Sequence, residues 1–317
     1  MQTFFPLTPA KISNDAGASW GDINITAFGA PNGASGAVVY IHNIDASARH
    51  WGIRKKGSTD AREAEMSGDS HCWGIVGVDE NGKLQFYNVY AFPGKVEMYL
   101  VGYTIPAGVT MLTNGVAIAP PGLSAWGDID LSATLPAGAA GAVIEVHGTG
   151  AYGLRQKGST DARINIAANS KNQFTTVIGC DASRLIEGYK VAGITFYLLG
   201  YITDGVTFNL NAIDITPKVG AWRDLAPIDG GMGNIAGTGG GKLNLRRKGE
   251  TQPSATNAYV VSHAWAITGA NPVAPSIGYM QGYCELATAR FFLVGWATVP
   301  VLTGKHYGLG KYKVQVA

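Results

Sequence analysis

The chain repeats itself, and this limits its fold more than any other feature. The sequence around Trp20 is SWGDINI, around Trp126 it is AWGDIDL, and around Trp222 it is AWRDLAP. Residues 51–62 read WGIRKKGSTDAR and residues 152–163 read YGLRQKGSTDAR, while residues 243–249 keep only LNLRRKG before running into ETQPSATNA. Each unit closes on an aromatic-aliphatic-glycine run: MYLVGY at 98–103, FYLLGY at 196–201 and FFLVGW at 291–296. The tryptophans lie 106 and 96 residues apart, and Gly102, Gly200 and Gly295 lie 98 and 95 apart. Three landmarks in one order, three times, imply three homologous domains with limits 1–105, 106–203 and 204–317. A period near 100 residues is an ordinary domain size and is too long for a solenoid unit.

Each unit reads as all-β. In GAVVYIH, residues 36–42, Val39 and Ile41 share one face while Val38, Tyr40 and His42 share the other. GAVIEVH, residues 141–147, repeats the pattern, and the polar Glu145 marks the expected outer side. Further strands are expected at 22–26, 51–54, 73–78, 84–90, 98–103 and 116–119. They are short, rich in Val, Ile, Tyr and Trp, and bounded by Gly, Pro, Asn and Asp. No window carries a sustained, capped helical stripe. Glycine numbers 44 of 317 residues, which suits many tight turns and bulges. The expected fold is therefore three tandem antiparallel β-sandwich, jelly-roll-like domains. Linkers at 103–108 and 201–205 leave almost no spare chain, so the domains should pack in fixed geometry. In the third unit the glycine-rich run 229–242 replaces the GAV strand, which predicts a lost or rebuilt strand. Residues 305–317 are expected to form an exposed strand or arm.

Lys and Arg total 24 against 22 Asp and Glu, and charged residues make up 15% of the chain. That balance excludes the basic face of a dedicated nucleic-acid binder. No run of 18 apolar residues predicts a membrane span, and the first residues do not have the pattern of a secretory signal. Cys72, Cys180 and Cys284 are too few for a disulfide framework and are expected to be buried thiols.

The RxKGSTDAR segment is the most specific local signal. Arg54, Lys56, Asp60 and Arg62 recur as Arg155, Lys157, Asp161 and Arg163. Gly-Ser-Thr-Asp is turn chemistry, and a carboxylate beside arginines forms charge-assisted hydrogen bonds. As structure alone, the segment is a hairpin turn pinned by an Asp–Arg pair. As function, it is a polar loop that contacts a partner or an acidic ligand. The histidines, His42 and His147 at equivalent positions and His71 and His263 at another, show no metal-ligand spacing. Asp79 and Asp181 read as turn formers at strand ends. GASWG at 17–21 matches the nucleophile-elbow pattern but lacks the helix that motif needs, and GMGNIA at 231–236 lacks a βαβ unit. No cofactor and no catalytic constellation is predicted. The recurring Trp20, Trp126 and Trp222 are expected in the cores, and other aromatics could line sugar-binding surfaces or protein interfaces.

WGIRKKGSTDAR, IVGVD and MYLVGY in the first unit, with YGLRQKGSTDAR, VIGCD and FYLLGY in the second, resemble tandem β-sandwich repeats in virion proteins of tailed bacteriophages. The resemblance covers nearly all of the first two units and part of the third. It implies a non-enzymatic role on the particle, with a capsid decoration or cement protein as the expected function. Expected partners are the major capsid protein or tail components, with self-association, and the expected location is the virion after synthesis in the host cytoplasm. The alternative is a receptor- or carbohydrate-binding module for host adsorption that takes a host glycan. An unrecognised hydrolase is a third reading and predicts one polar pocket in one domain only. The triple repeat itself suggests a pseudo-threefold knob matched to a threefold site on a lattice; a linear string of domains would contradict it.

Overall fold

The computed structural model describes residues 2–13, 19–88, 95–214, 223–224, 231–237, 243–247, 259–260, 263–266, 280–284 and 289–297. Among these the chain is all-β, with a single 3-10 turn at Ile25–Phe28. The first sequence repeat supplies β1 (Phe4–Lys11), β2 (Trp20–Asn24), β3 (Gly36–Asn43), β4 (Arg49–Lys55), β5 (Ala64–Met66), β6 (Ser70–Gly77), β7 (Lys83–Asn88) and β8 (Val96–Thr104). The second supplies β9 (Val109–Ile118), β10 (Gly127–Asp130), β11 (Gly141–Gln156), β12 (Asn165–Gly179), β13 (Leu185–Lys190) and β14 (Ile194–Ile202). The third supplies β15 (Val206–Asp214), β16 (Arg223–Asp224), β17 (Gly231–Gly237), β18 (Leu243–Arg247), β19 (Tyr259–Val260), β20 (His263–Ala266), β21 (Met280–Cys284) and β22 (Ala289–Ala297).

In the first repeat the antiparallel partners are β1 with β8, β2 with β7, β3 with β6 and β4 with β5. Eight strands thus pair as one long hairpin, folded over into the sheets β1-β8-β3-β6 and β2-β7-β4-β5. The second repeat pairs β9 with β14, β10 with β13 and β11 with β12. Here the strand pairs 3–4 and 5–6 of the first repeat are fused into the long β11 and β12. The first half of β11 pairs with β14 and its second half with β13, so one strand serves both layers and the sheet curls. The bend falls at Gly148 and Gly150, with φ of 109° and 132°. A Cβ at Gly148 would meet the Gly193 carbonyl oxygen at 1.9 Å, so only glycine allows this turn. In the first repeat the corresponding stretch breaks into a loop. There the buried Asn43 amide donates to the carbonyls of Ser47, Met66 and Ser67. The third repeat pairs β15 with β22, β16 with β21 and β17 with β20. Its glycine-rich run therefore forms β17 in the slot of the GAV strand, so that strand has not been lost. Among the described residues a fourth pair is not made, and β19 adds in parallel to β6 of the first repeat, through Tyr259–Ser70 and Val260–His71.

The alternation of strands β8 and β14 is strict, with Val96, Met98 and Leu100, then Ile194, Phe196 and Leu198, buried at every second position. These residues join two core clusters. One lies between the two sheets of the first repeat and includes Val39, Ile41, Trp51, Leu84 and Phe86. The other includes Ile144, Val146, Tyr152, Ile186 and Phe196.

The other faces of β3, β6 and β11 do not face water. Val38, Tyr40, Trp73, Ile75, Val143 and Val177 are buried yet belong to neither core cluster. Glu145, expected on the outer side, is 2% exposed. These faces are covered because the equivalent strands β6, β12 and β20 of the three repeats pack against one another in all three combinations. At one end the strand starts converge as well. The Thr3 hydroxyl donates to the Asp204 carbonyl at 3.0 Å, and a Cβ on Gly108 would sit 2.2 Å from Thr3 and 2.7 Å from the Asp204 oxygen. Among the described residues the three repeats touch one another pairwise and are not strung out in a line. The expected arm at 305–317 and the landmark Trp222 lie outside the described residues.

Candidate functional site

The GSTDAR loops follow β4 in the first repeat and the second half of β11 in the second. Gly57 and Gly158 adopt φ of 88° and 86°, and the Ser58 and Ser159 amides close the turn on the carbonyls of Lys55 and Gln156, each at 3.0 Å. The Ser58 hydroxyl accepts from the Asp60 amide at 3.0 Å, and Ser159 does the same for Asp161 at 3.1 Å. Local turn chemistry thus presents the same serine, threonine and aspartate groups twice.

Each loop docks on the following repeat. Ser58 Oγ and the Thr59 amide both donate to Asn114 Oδ1 at 2.9 Å, on the bulge of β9. Ser159 Oγ and the Thr160 amide donate to Asn211 Oδ1 at 2.8 and 2.9 Å, on the bulge of β15. The Gly115 amide donates to Asp60 Oδ2 at 2.8 Å. The two asparagines escaped sequence reasoning because they lie more than 50 residues downstream in the next unit. Their signal was the TNG of 113–115 and the NA of 211–212, just after the start of each unit.

Below each loop an arginine crosses the same seam. Arg62 Nε donates to Glu145 Oε1 at 2.5 Å, Arg62 also pairs with Asp60 at 3.0 Å, and its guanidinium lies 4.0 Å from the Tyr197 ring centre. Gln173 Nε2 donates to the other Glu145 oxygen at 3.0 Å. Arg163 pairs with its own Asp161 and lies 3.7 Å over Phe292. Strand register puts Asn234 where Glu145 stands. The electrostatics differ accordingly. Burial works against the charge on both arginines. At Arg62 the carboxylates of Glu145 and Asp60 outweigh it and raise the guanidinium above its ordinary value, whereas at Arg163 burial prevails and lowers it.

A third contact repeats too. Met111 packs on Gly36 and Gly77, and Phe208 packs on Gly141 and Gly179; a Cβ at Gly77 would lie 2.8 Å from Met111, and one at Gly179 2.8 Å from Phe208. Between the first two repeats a cavity of about 30 Å³ is lined by Trp51, Arg62, Trp73, Glu145 and Gln173, among others. It has room for a water or two.

The remaining sequence-selected residues lie on the outer sheets. Arg54 lies 4.0 Å over Trp20 and donates to Gln85 at 2.8 Å, and Lys56 pairs with Asp22 at 2.8 Å. Arg155 lies 4.2 Å over Trp126 and pairs with Glu187 at 2.8 Å, and Lys157 pairs with Asp128 at 2.6 Å. Trp20 and Trp126 are half-buried and are not core residues. Each indole lies so close to Gly52 or Gly153 that a Cβ there would come within 2.8 or 2.6 Å of it, which accounts for the glycine in both motifs. Asp79 and Asp181 do form strand-end turns, accepting from the amides of Lys83 and Leu185. Cys72 and Cys180 are buried and free. Among the described residues no cluster of His, Cys, Asp and Glu could hold a metal ion, and no helix is long and apolar enough to cross a membrane.

No protein-family model matches the chain, and no curated protein matches it. A chain of the atomic structure of Sulfolobus Turreted Icosahedral Virus aligns over 93% of this chain and 91% of its own length, at 9% identity and a TM-score of 0.23. A superposition that loose carries no argument about fold or role.

Proposed function

We propose that the chain is a non-enzymatic structural protein of a virus particle, built as three jelly-roll domains with limits 1–105, 106–203 and 204–317, and that it decorates or cements a capsid. The observation that carries this reading is the mutual packing of the three repeats. β6, β12 and β20 pack against one another, and the two GSTDAR seams lock neighbouring repeats. The pairing of strands 1–8, 2–7, 3–6 and 4–5 is that of one hairpin wrapped into two sheets, the jelly-roll path. A rigid body with three similar faces fits a threefold or quasi-threefold position on an icosahedral lattice. The resemblance of the repeats to virion proteins of tailed bacteriophages agrees. Of the eight loop residues singled out above, Asp60, Arg62 and Arg163 reach the adjoining repeat, whereas Arg54, Lys56, Arg155, Lys157 and Asp161 hold partners within their own repeat.

Glycan binding for host adsorption is the rival. It draws on the recurring half-buried Trp20 and Trp126, each with an aspartate nearby. An arginine lies over each indole, however, and takes a face on which a sugar would stack. Co-sedimentation of the purified protein with particles lacking it, followed by imaging, separates the two. Saturable occupancy at regular capsid positions supports decoration. Attachment at a unique vertex or the tail, or binding to host glycans alone, overturns it.

A further inference from the structure

The two docked seams and the third pairing differ in a coordinated way. Each docked seam has two parts: a Ser-Thr-Asp loop ahead and an asparagine-bearing bulge behind. Repeat one has the loop, and repeat two has both loop and asparagine. Repeat three has the asparagine, Asn211, but the corresponding sequence reads GETQPS at 249–254, outside the described residues. Repeat one in turn lacks the asparagine. Strand register makes this specific. In β9 the bulge lies between Met111, opposite Gly200, and Val116, opposite Leu198. In β1 it lies between Pro6, opposite Gly102, and Ala10, opposite Leu100. The residues between are Leu112-Thr113-Asn114-Gly115 in β9 and Leu7-Thr8-Pro9 in β1, so one proline stands where Asn-Gly stands. Both halves are therefore missing from the one pairing that joins repeat three to repeat one. At that pairing the chain shows another device, the addition of β19 to the edge of β6.

We propose that the Ser-Thr-Asp loop and the asparagine bulge form a two-part code that fixes the order of the repeats. The third pairing lacks both parts in its sequence. The ends of the chain are thereby non-complementary: no second copy can add head to tail by this joint, and β19 on β6 closes the ring within one chain. The inference rests on the seam geometry and stands whether or not the protein decorates a capsid.

The test restores the code in the full-length chain. One graft replaces Glu250, Gln252, Pro253 and Ser254 to give GSTDAR, a second replaces Pro9 by Asn-Gly, and a third chain carries both. The expected result is coupling. The double graft raises the thermal midpoint by roughly 2–6 °C beyond the sum of the single grafts. Its mass in solution remains that of one chain, and the amides of Ser70 and His71 exchange at least tenfold more slowly. Additive effects in the double graft overturn the code. Concentration-dependent oligomers of the double graft overturn closure within one chain. Should a graft prevent folding, Asn114→Ala and Asn211→Ala set against Thr8→Ala decide. The code requires both asparagine variants to lower the midpoint and Thr8→Ala to leave it within about 1 °C, and three equal effects overturn it.

Discussion

Replacing Arg62 by alanine should be among the most damaging single changes at any seam. Glu145 would keep Gln173 but lose the Arg62 guanidinium that pairs with it, at a side chain just 3% exposed. Removing one partner of a buried ion pair costs about 3–5 kcal/mol, because the remaining charge stays desolvated. Arg163→Ala is the internal control. Its partner Asp161 belongs to the same loop and its cross-seam contact is the Phe292 ring, so the loss is about 1–2 kcal/mol. For 317 residues at about 2.1 cal/mol/K each, 1 kcal/mol moves the midpoint by about 1.5 °C. Arg62→Ala should then lower it by about 5–8 °C and Arg163→Ala by about 2–3 °C. Scanning calorimetry of the full chain reads both shifts, and the ratio of calorimetric to van't Hoff enthalpy reports whether the repeats still melt together. Arg62→Ala combined with Glu145→Ala should recover part of the loss, since the orphaned charge is gone, with a coupling of about 2 kcal/mol. Equal shifts for the two arginines, or strict additivity of Arg62→Ala with Glu145→Ala, would refute the reasoning.

Gly179→Ala should destabilise by about 1–3 kcal/mol in urea melts, because the new methyl meets the Gln156 and Phe208 side chains at 2.6 and 2.8 Å. The Asp45 carboxyl is held down at about 2, first by its hydrogen bond from Arg49 and then by the Ser47 amide. Its folded value lies below the ordinary 3.8, so its contribution to stability is complete above about pH 4 and fades as pH falls through about 2. Carboxyl NMR titration should place its midpoint there, and Arg49→Ala should return it towards 3.8. Burial raises both the Cys72 and Cys180 thiols, so iodoacetamide at pH 8, read out by peptide mapping, should label neither in the folded protein and both in denaturant; rapid labelling of Cys72 or Cys180 in the native chain would contradict the packing described.

Period-2 patterning carried the strands well, since β3, β4, β6 and β8 fall close to their expected places. What it could not carry was the second face of β3 and β11. A buried glutamate and a surface glutamate look alike in sequence, and Glu145 is buried because Arg62 reaches it from another repeat. Tryptophan misled for a related reason. Trp20 and Trp126 recur because Arg54, Arg155 and the glycines beside them need the ring, and they hold the outer sheets without entering the core. The GSTDAR segment announced turn chemistry from local rules, but its mate Asn114 is 56 residues from Ser58. No rule of local spacing links the two.

The link was nonetheless written in the sequence as a pair of absences. A loop that binds its own strand would decay alone when a repeat diverges. A loop that binds its neighbour should decay together with the neighbour's receptor. Repeat three lost Ser-Thr-Asp, and it is repeat one that lacks the asparagine; Asn211 in repeat three persists because repeat two still has its loop. The same logic separates the two surviving seams. Where the acceptor position holds Glu145, the crossing arginine is charge-paired across the seam; where strand register puts Asn234, the arginine turns to its own Asp161 and an aromatic ring. Loop and bulge vary together across a seam, while the acceptor position varies on its own. The joint variation of loop and bulge is the behaviour expected of an interface between modules and not of three independent turns.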